Sequence, residues 1–184
     1  DGLIKGARGA LGVLMACAAA GMIIGIVTKT GVGLKLASVL VGMANGNEIV
    51  LLFCTMLTSL ILGMGVPTTA NYVITSTIAA PALIGMGVPI LAAHMFVFYF
   101  GIIADITPPV ALAAYAGAAI SGGDPLKTGV NASKLGIAAF IVPYVFVLSP
   151  ALLGINASAG QIVMTTITAL IGMIGISSAM MGYL

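Results

Sequence analysis

Two clusters of residues carry polar groups in a chain otherwise built of hydrocarbon. The first is GMGVPTTANYVI, residues 63–74, which packs two glycines, a proline, two threonines and an asparagine into one short stretch. The second is Ala104-Asp105-Ile106-Thr107-Pro108-Pro109, an acid and two adjacent prolines inside a long apolar run. Both must interrupt a helix: proline removes a backbone donor, and the residue before it is pushed out of helical geometry. In a bilayer, unpaired amides and carbonyls survive only where protein buries them or where they line a wet cavity. Gly63 and Gly65 let carbonyls point inward without obstruction, Pro67 fixes the turn, and the Thr68 or Thr69 hydroxyl is placed to cap the outgoing half-helix. The amino end of that half-helix offers free amides and a positive dipole end to an anion. Carbonyls freed around Ala104 to Thr107 have no helical partner and suit a small hard cation. An acid at membrane depth costs about 2.5–3.5 kcal/mol on insertion scales, which favours a cation or proton role for Asp105 over a snorkelling or locally paired one.

The elements that position these clusters follow from composition. The 184 residues are 61% hydrophobic and 5% charged, with a mean hydropathy of +1.27, far from the make-up of soluble domains. This composition predicts an all-α, multi-pass membrane protein. Gly9–Thr28 is long enough to cross as a helix, whereas residues 31–45 are too short and suit a helix lying in the interface, with Leu34, Ala37, Leu40 and Val41 on one face. Glu48–Leu62 and Thr68–Leu83, about 15 residues each, read as the arms of a re-entrant hairpin around the first cluster. Pro89–Ile120 reads as a helix broken at the second. Residues 121–133 read as a polar linker, Leu135–Leu153 as a span kinked at Pro143, and Gln161–Leu184 as a last span. The expected organisation is therefore residues 1–46, a core of 47–121 with its hairpin at 48–83 and its broken helix at 89–120, and 122–184 with two more membrane helices.

Charge supports an orientation. If residues 48–83 enter and leave on one side, Lys5, Arg8, Lys127 and Lys134 share a face opposite Lys29 and Lys35, and the positive-inside tendency makes that face cytoplasmic. Cys17 and Cys54 lie in apolar runs and read as small core residues, and the single histidine, His94, reads as structural. The chain begins at Asp1 with no signal-like segment, and reads as an internal piece of a longer protein. No Ser-His constellation and no pair of acids within the membrane is present, so an enzyme is not expected. Two backbone breaks, one offering amides and the other carbonyls, form the recurring core of secondary transporters; a channel is the weaker alternative.

LGMGVPTTANYVITSTIAAPAL followed by FGIIADITPPVALAAYAGAAISG resembles the DctM-like large membrane subunit of tripartite ATP-independent periplasmic (TRAP) transporters, specifically the fused permeases that work with TAXI-type binding proteins. The resemblance runs from about Gly2 to about Leu153. It implies one inverted repeat, the carboxy-terminal one, of an elevator-type carrier in the bacterial or archaeal cytoplasmic membrane. That carrier takes up a small organic carboxylate handed over by a soluble periplasmic protein, together with a small membrane subunit or its fused equivalent. Carried over by position, it implies sodium contacts at Gly63, Gly65, Pro67, Thr68, Asp105, Thr107 and Pro108, and substrate contacts at Thr68, Thr69, Asn71 and Pro109. Pro67 stands where many sibling subunits carry an acid, so sodium and proton coupling both stay open. Lipid is the expected surrounding, and nucleic acid is not an expected partner.

Overall fold

The computed structural model describes residues 2–4, 7, 18, 21, 22, 25, 26, 29–63, 66–109 and 111–182. Lys5, Arg8, Cys17, Gly65 and most of the expected first span, Gly9–Thr28, lie outside the described residues. Among the described residues every regular element is helical. Helix α1 covers Val32–Ala44, α2 Glu48–Gly63, α3 Thr68–Ile78, α4 Ala80–Gly85 and α5 Ile90–Ile103. A 3-10 turn at Ala104–Ile106 leads to α6 at Leu112–Ser121. Then come α7 at Pro125–Leu135, α8 at Ile137–Leu148, a second 3-10 turn at Pro150–Leu153, and α9 at Ala159–Met181.

The architecture is organised around α5. Its sequence, ILAAHMFVFYFGII, is apolar all round, as a helix enclosed by others must be, and α2, α3, α4 and α8 all pack on it. In lipid, apolar burial gives little preference for helix contact over tail contact, so close fit decides. Ala92, Ala93, Gly101 and Ala104 supply the small side chains that let neighbours approach. Across to α8, Phe96 and Phe100 meet Tyr144 edge-on with ring centroids 5.3 and 5.9 Å apart, contacts of about 0.5–1.5 kcal/mol each beyond area burial. Helix α1 turns Ala37, Leu40 and Ala44 inward and leaves Lys35 and Ser38 exposed.

Three departures from the sequence reading have local causes. Thr68–Leu83 is not one arm: it breaks at Ala79 into α3 and α4, because Pro81 has no N–H to give the Thr77 carbonyl and its ring would strike that oxygen. The supposed linker folds as α7, started by Asp124, whose carboxylate accepts the Lys127 amide at 2.8 Å, with Pro125 at the first helical position. Leu135–Leu153 is likewise divided, by Gly136 before α8 and by the 3-10 turn after it. Among the described residues α9 alone is a single helix long and apolar enough to cross a membrane, and α7 with α8 qualifies as a pair bent by 43°. The pentapeptide GMGVP occurs a second time, at residues 85–89, and there forms a plain turn, with Gly87 at φ +92 and Pro89 leading into α5.

Candidate functional site

The hairpin tip and the helix break meet. Helix α2 ends at Gly63, and a Cβ placed there would lie 2.9 Å from the Gly101 carbonyl oxygen and 3.0 Å from Ala104 Cβ, at the foot of the break. Asn71, from the first turns of α3, is wedged into the same junction: its Nδ2 lies 2.7 Å from the Cβ position of Gly63 and 2.7 Å from that of Gly101. Real Cβ atoms do not tolerate such distances, so both positions require glycine, and α2, α3 and α5 touch through backbone and one amide. Asn71 is 1% exposed, and its Oδ1 has no hydrogen-bond partner. It therefore belongs to the packed interior, while Pro67, Thr68 and Thr69 are exposed on the outside of the tip.

The tip is not capped as expected. Pro67, extended at φ −53 and ψ 142, occupies the cap position and has no hydroxyl to offer. Thr68 and Thr69 are already inside the first turn, where their side chains are out of register for capping. The first ladder bond runs from the Asn71 amide to the Pro67 carbonyl at 2.9 Å. The amides ahead of it have no partner within the helix, and they point from an exposed amino terminus.

At the break the opposite holds. Asp105 is half-buried on the 3-10 turn, Thr107 is extended at φ −106 and ψ 123 as its position before Pro108 demands, and the Pro108–Pro109 peptide is cis. The carbonyls expected to be free are largely engaged. The Thr107 hydroxyl donates to the Ile103 carbonyl at 2.7 Å, and its amide donates to Ala104 at 3.2 Å. Ser133 Oγ, on α7, donates to the Ile106 carbonyl at 2.9 Å. The Tyr115 hydroxyl, on α6, donates to the Pro109 carbonyl at 2.6 Å. Thr107 and Pro108 also border a cavity of about 400 Å³, walled by Val130, Ile137, Phe140 and Met180 with Lys134 at its edge.

Of the predicted residues, the structure brings Gly63 and Asn71 together at the foot of the break that carries Asp105, Thr107 and Pro108, and leaves Thr68, Thr69 and Pro109 exposed. Sequence reading missed Gly101, Ser133 and Tyr115, whose roles depend on docking between elements. It also missed Tyr72, whose hydroxyl lies 3.0 Å from His94 Nδ1 and ties α3 to α5. Among the described residues no three His, Cys, Asp or Glu side chains gather. The oxygen donors available are therefore mostly neutral.

No curated protein and no solved structure matches the chain. Residues 1–161 do match the family described as the tripartite ATP-independent periplasmic transporter, DctM component, and that match covers most of the sequence, so the chain belongs to the DctM family.

Proposed function

We propose that this chain supplies one half of the binding core of a sodium-coupled carrier that takes up a small organic carboxylate. As a DctM-family chain it is part of the membrane component of a TRAP transport system in the inner membrane, a transporter rather than an enzyme. Such systems work with a periplasmic binding protein and a small membrane subunit. The finer reading assigns it a TAXI-type binding protein, a fused small subunit and elevator-like movement of the hairpin with the broken helix. Proton coupling is the alternative to sodium.

The observation that carries the reading is the contact between Gly63 and the Gly101–Ala104 segment, which sets the tip and the break side by side. Uncapped amides at Thr68 and Thr69 suit a carboxylate oxygen, and the positive dipole end of α3 adds to that attraction. Asp105, Thr107 and Pro108 supply the cation side. A mirror-related repeat would complete the cavity, since Thr68, Thr69 and Pro109 are exposed in this one.

The test is uptake into liposomes by the complete permease, with and without a sodium gradient. Thr68→Ala and Asp105→Ala should each abolish coupled uptake while leaving expression and membrane insertion intact. Unchanged uptake in both variants refutes the assignment, and non-saturating electrical currents would replace the carrier by a channel.

A further inference from the structure

Helix α7 has two faces. The inner one docks on the break: Ser133 donates to the Ile106 carbonyl at 2.9 Å, and Gly129 is packed so closely that an added Cβ would lie 3.3 Å from both Ala111 and Tyr115. The outer one carries Lys127, Val130, Asn131 and Lys134, spaced three and four residues apart and therefore aligned as one strip. All four are exposed. Ammonium groups set among apolar side chains suit neither bulk water nor hydrocarbon, whereas the membrane interface accepts both. The 43° bend between α7 and the strongly apolar α8 fits a helix lying in that interface beside one that enters the bilayer.

Three hollows adjoin along this strip. Leu126, Lys127, Val130 and Asn131 line one of about 270 Å³, and Asn131, Lys134 and Leu135 line another of about 330 Å³ with Met180 and Met181 of α9. The third is the apolar cavity of about 400 Å³ beside Pro108, which shares Val130, Lys134 and Met180 with the other two. No carboxylate lines any of them. Asp124, the acid nearest in sequence, is engaged at the helix cap, where it accepts the Lys127 amide. Lys127 itself stands in the first turn of α7, against the positive end of the helix dipole, so helix stability does not account for it. The same dipole end favours a bound anion. Lys127 and Lys134 are about 10 Å apart along the helix axis with the Asn131 amide between them, a gap that two lysine side chains can close on one phosphate.

We propose that the outer face of α7 binds one anionic phospholipid, its phosphate held by Lys127, Asn131 and Lys134 and an acyl chain laid in the cavity between Val130, Ile137, Phe140 and Met180. A soluble anion would use the lysines and leave the apolar cavity empty. A neutral lipid would fill the cavity and leave the lysines idle. An anionic lipid answers both, and the cytoplasmic leaflet, the side to which the charge pattern assigns Lys127 and Lys134, is where such lipids give the membrane its negative surface. A lipid seated there braces α7 from outside, opposite the bond from Ser133 to Ile106. The site is independent of what the tip and the break carry, so it stands or falls separately from the function proposed above.

The experiment places the purified complete permease in phosphatidylcholine nanodiscs with rising fractions of phosphatidylglycerol and follows its unfolding midpoint. Phosphatidylglycerol should raise the midpoint saturably. Lys127→Gln and Lys134→Gln should each raise the half-saturating fraction about fivefold, the effect of one lysine at an anionic surface, and the double variant should raise it further. Lys35→Gln, an exposed lysine on α1, should leave it unchanged. Val130→Phe fills the cavity without altering charge and should weaken the response as well. Lysine variants that act while Val130→Phe does not would reduce the effect to diffuse attraction and overturn the one-lipid site. An equal rise with inorganic phosphate in place of the lipid would overturn it in favour of a simple anion site. A wild-type response in the double variant would overturn it in favour of a protein neighbour covering this face.

Discussion

The two interruptions of helical winding are built in opposite ways. After α2 the chain turns through Pro67 and restarts at Thr68, an exposed terminus with no side chain capping it. After α5, Thr107, Ser133 and Tyr115 fasten the carbonyls of Ile103, Ile106 and Pro109. One break is left open and the other is tied down by two neighbouring helices. The amide side thus lacks a side-chain cap, whereas the carbonyl side has its freed oxygens mostly taken. The carbonyls of Ala104 and Ile106 are therefore not free to serve as ligands.

The surest way to break the comparison is to force the two regions apart. Gly101→Ala would place a methyl 2.7 Å from Asn71 Nδ2 and 3.1 Å from its Cγ. Asn71 has no retreat, because Gly63 lies against its other side. Overpacking of this kind costs about 1–3 kcal/mol, and coupled uptake should fall with it. Gly63→Ala should behave alike, and the double variant should lose less than the sum of the two, because both act through Asn71. Denaturation of the purified permease in detergent measures all three. Wild-type stability in Gly101→Ala would mean the tip and the break do not meet as described.

A smaller effect sharpens the fastened side. Ser133→Ala removes the donor to the Ile106 carbonyl and leaves a half-buried acceptor without it, a cost of about 1–3 kcal/mol. Because Ile106 adjoins both Asp105 and Thr107, uptake should slow while the exposed tip is untouched. If instead Ser133→Ala transports at the wild-type rate, the tie is only structural and the contrast between the two breaks is weaker than drawn.

How far the sequence reveals this arrangement depends on how local each cause is. The positions of both breaks are legible, because Gly63, Pro67, Pro108 and Pro109 act on their own backbone. Pro81 was equally available and explains the cut between α3 and α4, yet it lies in an apolar stretch that periodicity alone treats as continuous. The cap at the tip was misplaced by one position: hydroxyls stand at 68 and 69, but the cap falls on Pro67. The bond from Ser133 to Ile106 joins residues 27 apart in sequence and has no local signature. The Asn71 socket needs two glycines from two other helices, and only the docking of α2 on α5 brings them to it.

The least disruptive change concerns α7, the helix that holds Ser133 in place. The stretch SGGDP looks like a linker by composition, but Asp124 followed by Pro125 is also a helix start, and the structure uses it as one: the Asp124 carboxylate takes the Lys127 amide. Asp124→Ala should cost about 1 kcal/mol, the usual loss for an N-cap, and Asp124→Asn should recover most of it, since the asparagine oxygen can accept the same bond. Unfolding midpoints of the three proteins check the ranking. Uptake adds the link to the break: α7 would fray from its exposed amino end, nine residues before Ser133, so transport should stay near wild type while stability drops. Transport that falls as steeply in Asp124→Ala as in Ser133→Ala would mean that α7 moves as one rigid piece with the break.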